Sequence, residues 1–147
     1  MEARNNLGMI YQEMGFLDKA EEEFKKVTAD PKYASKELPY YNLARLYSMR
    51  ENWETALFYA DKAIQTNARY HLGHGLRGYI LENQGKLPEA IESYKQAVKL
   101  LPSDVTFRFN LAAAYFKNGD FRQAGEILGE ILPLITEPGM KEVEQKR

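Results

Sequence analysis

Four times along the chain a small residue is followed twelve positions later by alanine: Gly8 and Ala20, Ala44 and Ala56, Gly78 and Ala90, Ala112 and Ala124. The first members of these pairs are spaced by 36, 34 and 34 residues, and self-similarity at such a period is the signature of a repeat architecture. A small residue facing an alanine lets two antiparallel helices approach to the short end of the usual range of about 8–10 Å. Each unit then reads as a helical hairpin that cannot bury its apolar faces alone and has to stack on its neighbours.

Other positions keep the same register. Leu7, Gly8 and Tyr11 fall in a first helix and Ala20, Phe24 and Val27 in a second, with Pro31 beyond. The later units supply Leu43, Ala44, Tyr47, Ala56, Ala60 and Ala63, then Gly78, Leu81, Ala90, Tyr94, Ala97 and Pro102, then Leu111, Ala112, Tyr115, Ala124, Leu128 and Ile131. On these residues the chain resembles the tetratricopeptide repeat, whose period is about 34 residues. Arg77 in an apolar position, Ala68 where proline usually closes a unit, and Leu81 in place of tyrosine depart from that pattern, and they bear on the packing of unit three. The resemblance implies an all-α fold, a right-handed superhelical solenoid of four hairpins. The units run 1–34, 37–70, 71–104 and 105–138, followed by 139–147 as a charged tail or the start of a further helix.

Local signals predict eight helices, near 2–14, 17–29, 37–50, 53–66, 70–84, 87–100, 104–117 and 120–132. Gly15, Gly85 and Gly119 suit the left-handed geometry that ends a helix. Pro88 suits a first helical turn, and Ser103, Asp104 and Asp120 suit helix starts.

Composition narrows the function. A formal net charge of −1 argues against a nucleic-acid partner, because neutralising phosphates needs clustered Lys and Arg. With no cysteine, disulfides, thiolate metal sites and cysteine nucleophiles are excluded, although compartment is not. The longest apolar stretch, 127–135, is interrupted by Gly129, Glu130 and Pro133 and is too short to span a membrane. His71 and His74 lie one helical turn apart without a third ligand at a matching spacing, so His74 reads as a packing residue and His71 as solvated. The run Glu21, Glu22 and Glu23 reads as a solvated outer face. No catalytic, metal or cofactor site is expected. Met1 falls where a repeat's first helix should already be starting, so the chain reads as a piece of a longer protein, with room upstream for a signal peptide or a lipid-attachment cysteine.

The resemblance implies that the first helices of successive units line a concave groove. Carried onto this chain, its lining includes Asn6, Met9, Gln12 and Glu13, then Tyr41, Asn42, Arg45, Ser48 and Met49, then Gly75, Leu76, Tyr79 and Glu82, then Phe109, Asn110, Phe116 and Lys117. Asn6, Met9, Tyr41, Asn42, Arg45, Tyr79, Phe109, Asn110 and Phe116 are the expected contact residues. Asn6, Asn42 and Asn110 form a ladder that could pair with a peptide backbone, since an amide offers both donors and an acceptor, or could only brace neighbouring helices. Tyr41, Tyr79, Phe109 and Phe116 form an aromatic strip suited to apolar side chains. The Lys and Arg residues with which related domains grip an acidic C-terminus are missing at the corresponding positions, so a mainly apolar protein or peptide segment is the expected ligand.

The junction Ala29-Asp30-Pro31-Lys32-Tyr33 through Tyr41-Asn42-Leu43 inserts two residues into the repeat. It resembles the equivalent junction in the type IV pilus assembly lipoproteins of the PilF, PilW and Tgl kind. That resemblance implies a periplasmic or outer-membrane-associated factor acting on a secretin. The alternative is a cytosolic adaptor module of a larger protein. Partner identity and oligomeric state are not set by the sequence.

Overall fold

The computed structural model describes residues 2–145, with side chains through 135. Eight helices follow one another: α1 (Glu2–Glu13), α2 (Leu17–Ala29), α3 (Glu37–Met49), α4 (Trp53–Thr66), α5 (His71–Asn83), α6 (Leu87–Leu100), α7 (Val105–Lys117) and α8 (Phe121–Gln145). Each helix packs on the next in the chain, and first helices of neighbouring units also touch, α1 on α3 and α3 on α5. The result is an all-α solenoid of four hairpins whose inner face is made by α1, α3, α5 and α7.

Turn chemistry sets the hairpins. Gly15, Gly85 and Gly119 hold φ of +84°, +76° and +85° at equivalent turns, and unit two puts Glu51 there with φ 57°, a conformation that costs an L-residue free energy. Asn52 and Asp104 cap α4 and α7 by accepting from the backbone N–H of Thr55 and Phe107 at 3.3 and 3.1 Å. Asp120 instead accepts from the Asn118 side chain at 2.8 Å.

The close crossings have a cause beyond the alanine pairs. A Cβ added to Gly8 would stand 2.6 Å from the ring of Phe24, and one added to Gly78 would stand 2.7 Å from the ring of Tyr94. Glycine is present because an aromatic ring from the second helix occupies the space a side chain there would need. Where the first helix carries Ala44 or Ala112, the second carries Ala60 or Leu128 at the ring's position. Tyr94, Leu81, Ile91, Leu111 and Ala114 make one apolar cluster, Phe24, Ala20, Leu43 and Leu46 a second, and Ala44, Ala56, Ala60 and Ile80 a third.

Three expectations are corrected. The last helix does not stop at 132: α8 runs through Pro133 and Pro138 to Gln145, so the segment after Gly139 continues that helix, and residues 146–147 lie outside the described residues. Proline removes one backbone hydrogen bond and bends a helix without forbidding it, and the fully buried Ile131 anchors the turn before Pro133. The acidic run is not uniformly solvated, since Glu22 points to solvent while Glu21 and Glu23 are largely covered. Glu21 accepts from Tyr47 of α3 and from Arg50 at that helix's end, each at 2.9 Å, and Glu23 pairs with Arg4 at 3.4 Å. His71 is half-buried with its ring 5.9 Å from that of Phe107, rather than solvated, and His74 Nε2 lies 2.8 Å from the Ala68 carbonyl oxygen at the start of α5. Arg77, the departure in unit three, fits because its guanidinium donates to Asp61 of α4 at 2.8 Å and Ser93 of α6 at 2.6 Å.

Candidate peptide-binding groove

Two adjoining hollows open on the inner face. One, about 90 Å³, is lined by Met9, Gln12 and Glu13 of α1 with Arg45 and Met49 of α3. The other, about 170 Å³, is lined by Arg45, Ser48 and Met49 of α3 with Leu76 and Tyr79 of α5. Arg45 and Met49 belong to both, so the hollows form one shallow groove crossing three first helices. Its walls mix apolar side chains with Gln12, Glu13, Arg45 and Ser48, and the apolar part is adaptable: Met49 is 55% exposed and Tyr79 47% exposed, and methionine can fill irregular gaps against varied partners. Larger depressions lie away from this face, one between α4, α5 and α6 around the Arg77 network and one beside the Gly15 turn. In the first, Arg77 donates to Asp61 and Ser93, which fixes its guanidinium between α4 and α6.

Polar contacts fix the groove floor. Asn42 is 1% exposed and donates through Nδ2 to Asn5 Oδ1 at 3.1 Å, tying α3 to α1. Gln12, also buried, donates to Met49 Sδ at 3.2 Å and sets that thioether between the hollows. Asn42 is therefore an inter-unit brace and not a rail that a peptide can reach. Asn6 is exposed on α1 and Asn110 is half-buried on α7, so the three amides do not present one continuous ladder.

The aromatic residues are placed separately too. Tyr41 packs edge-on against Tyr70 at 5.7 Å, and Tyr79 against Trp53 at 5.8 Å. Phe116 packs against Phe121 at 5.2 Å, and Phe109 stands half-exposed on α7. Among the described residues none of the four rings pairs with another of the four. Only Tyr79 lines the groove; Phe109 and Phe116 extend the apolar inner surface onto α7. There the Phe107 ring covers Gly75, where a Cβ would stand 2.5 Å away, and Lys117 pairs with Glu82 at 3.5 Å. Of the expected contact residues the structure thus gathers Met9, Arg45 and Tyr79 around one opening. Met49, Leu76, Gln12, Glu13 and Ser48 complete it, and their register positions were the only sequence signal that could have ranked them higher.

The groove carries one charge of each sign, Glu13 and Arg45. Arg45 lies over the Tyr41 ring, 5.8 Å from its centroid, and no carboxylate of the described residues pairs with it. Burial raises the Tyr41 phenol above its ordinary pKa although Arg45 opposes the shift, and burial with the nearby Tyr41 and Glu37 pushes Tyr70 up to about 12. Both phenols stay neutral at physiological pH. Among the described residues no group of three or more His, Asp or Glu could hold a metal ion, and no helix is long and apolar enough to cross a membrane.

Comparison with known proteins bears on this geometry. Residues 2–29 match the family described as tetratricopeptide repeat, and residues 78–119 the family described as TPR repeat. A TPR repeat-containing protein of Methanocaldococcus jannaschii is 29% identical over 69% of this chain and 18% of its own length. The peroxisomal targeting signal receptor of Candida glabrata is 29% identical over 71% of this chain, again 18% of its length. The chain thus spans under a fifth of the curated relatives it matches. Among solved structures, MamA superposes with a TM-score of 0.80 at 24% identity, covering 97% of this chain and 80% of MamA. PilW, described as a type IV pilus biogenesis factor, superposes with a TM-score of 0.81 at 15% identity over 88% of this chain and 60% of PilW. The first TPR of Spaghetti, bound to an HSP90 peptide, gives a TM-score of 0.73 at 22% identity, over 80% of this chain and 91% of that one. At these identities the structural likeness speaks to the fold alone.

Proposed function

The chain carries tetratricopeptide repeats, and from that premise we propose that it is a non-catalytic scaffold that holds a segment of a partner protein in its concave groove. The observation that carries this reading is the pair of contiguous hollows sharing Arg45 and Met49. Met9, Met49, Leu76 and Tyr79 offer apolar contact, while the buried amides beneath keep them in place. The ligand is a mainly apolar segment, with any acidic group it carries directed to Arg45. A solved relative of the same fold holds a peptide, which supports this use of the surface.

A finer reading makes the partner a segment of an outer-membrane secretin. It is favoured by the irregular junction after α2, where Asp30 Oδ1 accepts from the Lys32 N–H at 2.9 Å and the Asp30 carbonyl from the Tyr33 N–H at 3.2 Å. The test is titration of folded variants against secretin C-terminal peptides and an unrelated peptide library. Met49→Ala and Tyr79→Ala are each expected to weaken binding by about 1–3 kcal/mol, with Glu22→Ala unchanged. Normal binding by both groove variants would refute the groove. Binding only to unrelated peptides would remove the secretin and leave the adaptor.

A further inference from the structure

One register position of the first helix holds Leu43 in α3, Arg77 in α5 and Leu111 in α7, at steps of 34 residues. A fixed position of the second helix answers it with Tyr59 in α4, Ser93 in α6 and Ile127 in α8, again at steps of 34. In two of these three units the pair is apolar: Leu43 packs in a cluster with Tyr59, and Leu111 in a cluster with Ile127. The middle unit replaces both members at once. Arg77 Nε donates to Asp61 Oδ1 of α4 at 2.8 Å and its Nη1 to Ser93 Oγ at 2.6 Å, with Ser93 only 2% exposed.

The large apolar pair that fills this place in the neighbouring units is therefore missing, and a hollow of about 300 Å³ opens between α4, α5 and α6. Asp61 and Ile64 of α4, His74 and Arg77 of α5, and Glu92 and Ser93 of α6 line it. The position of His74 is taken in the units on either side by Tyr40, stacked on Tyr59 at 6.3 Å, and by Arg108, paired with Glu130 at 2.7 Å. A volume of this size is at the lower end of those that take a small ligand. None of its lining residues belongs to the groove.

Charge selects the occupant. Two carboxylates, Asp61 and Glu92, stand in the lining against the one guanidinium of Arg77. One oxygen of Asp61 accepts from Arg77, and one oxygen of Glu92 accepts from the Gln96 amide at 3.2 Å. The second oxygen of each has no partner among the described residues. An incoming carboxylate would be repelled by both groups, whereas a cation is attracted to them. Ile64 supplies an apolar wall along which an aliphatic stem can lie while its charged head reaches the oxygens. We propose that this hollow binds a primary ammonium on a slender aliphatic stem, carried by a lysine side chain of a partner protein or by a free alkylamine.

Titration of the isotope-labelled chain with n-butylammonium chloride, followed through its backbone amide NMR shifts, tests this, with sodium butyrate as the opposite charge on a similar stem. Saturable shifts centred on Asp61, Arg77 and Glu92 are expected from the ammonium, and none there from butyrate. Glu92 is exposed, so Glu92→Gln keeps the fold, and it should weaken binding by about three- to tenfold. Glu54→Gln, at an exposed carboxylate outside the hollow, should leave binding unchanged. Arg77→Leu combined with Ser93→Ile copies the packing of Leu111 with Ile127, so it closes the hollow and should abolish the shifts while the helical spectrum is kept. A capped glycyl-lysyl-glycine peptide separates the two sources: tighter binding than the free amine assigns the hollow to a partner's lysine, and equal or weaker binding assigns it to an alkylamine. Preference for butyrate, shifts that are scattered or do not saturate, or wild-type binding by Glu92→Gln or by the folded double variant would each overturn the proposal.

Discussion

The front pair of units and the back pair solve the same packing problem and then differ at the seam inside each pair. In both, the leading hairpin lays an aromatic ring on glycine, Phe24 on Gly8 and Tyr94 on Gly78. In both, the following hairpin opposes alanine to a smaller or flexible side chain. At one equivalent register position the residue that reaches from the first hairpin to the second is Glu21 in front and Ile91 behind, beside the apolar contact of Ala20 and Phe24 with Leu43 and Leu46 in front. Glu21 collects hydrogen bonds from Tyr47 and Arg50, with Lys25 3.3 Å away, while Ile91 joins Tyr94, Leu111 and Ala114 in a dry cluster. Solenoid geometry is thus set by the volumes where helices cross, and either chemistry can join one hairpin to the next.

The largest effect should come from removing a ring, because both halves depend on it. Tyr94→Ala and Phe24→Ala each leave a cavity over a glycine and should cost about 3–5 kcal/mol, read from denaturant midpoints. Equal and small losses would show that the rings are not the structural centre of their hairpins.

Next is the glycine beneath each ring. Gly8→Ala and Gly78→Ala should each cost about 1–3 kcal/mol, since the added methyl meets a ring held by its neighbours. The double variant Gly8→Ala with Phe24→Ala recreates the alanine pairing of unit two. Its loss should fall short of the sum of the two single losses by about 0.5–3 kcal/mol, and simple additivity would break the equivalence drawn between the hairpin types.

The smallest effect separates the seams by pH. Burial tends to raise the Glu21 pKa, but hydrogen bonds from Arg50, Tyr47 and Lys25 outweigh it and hold the group below its ordinary value of 4.5. A carboxyl depressed in the folded state contributes stability that is complete above the unfolded pKa and is lost as pH falls through the folded one. Glu21→Gln should therefore cost about 1–2 kcal/mol at neutral pH, and its deficit should shrink as the solution is acidified below pH 4.5. Ile91→Val should show a deficit that does not change over that range, and parallel acid profiles for the two variants would contradict the distinction.

The helix bounds were legible because twelve-residue spacing, turn glycines and cap residues act within or between adjacent helices, where sequence distance and spatial distance run together. Seven of the eight helices therefore begin and end within a residue or so of expectation. The groove was legible as a set of register positions but not as a surface. Asn42 occupies a lining position by register, yet its amide turns into the α1 seam because Asn5, one whole unit earlier, offers an acceptor. Glu21 likewise sits in an acidic run that reads as solvent-facing until Arg50 and Tyr47 are brought across from α3.

By itself the sequence determined the repeat, the hairpins and the absence of cysteine chemistry, since these follow from period, side-chain volume and composition. Only the tertiary structure decided which polar groups are satisfied inside a seam, which rings lie on glycines, and which of the register positions open into the groove. The physical reason is that a hydrogen bond or a ring contact between units depends on angles and distances set by two crossings together, which no spacing within one unit encodes.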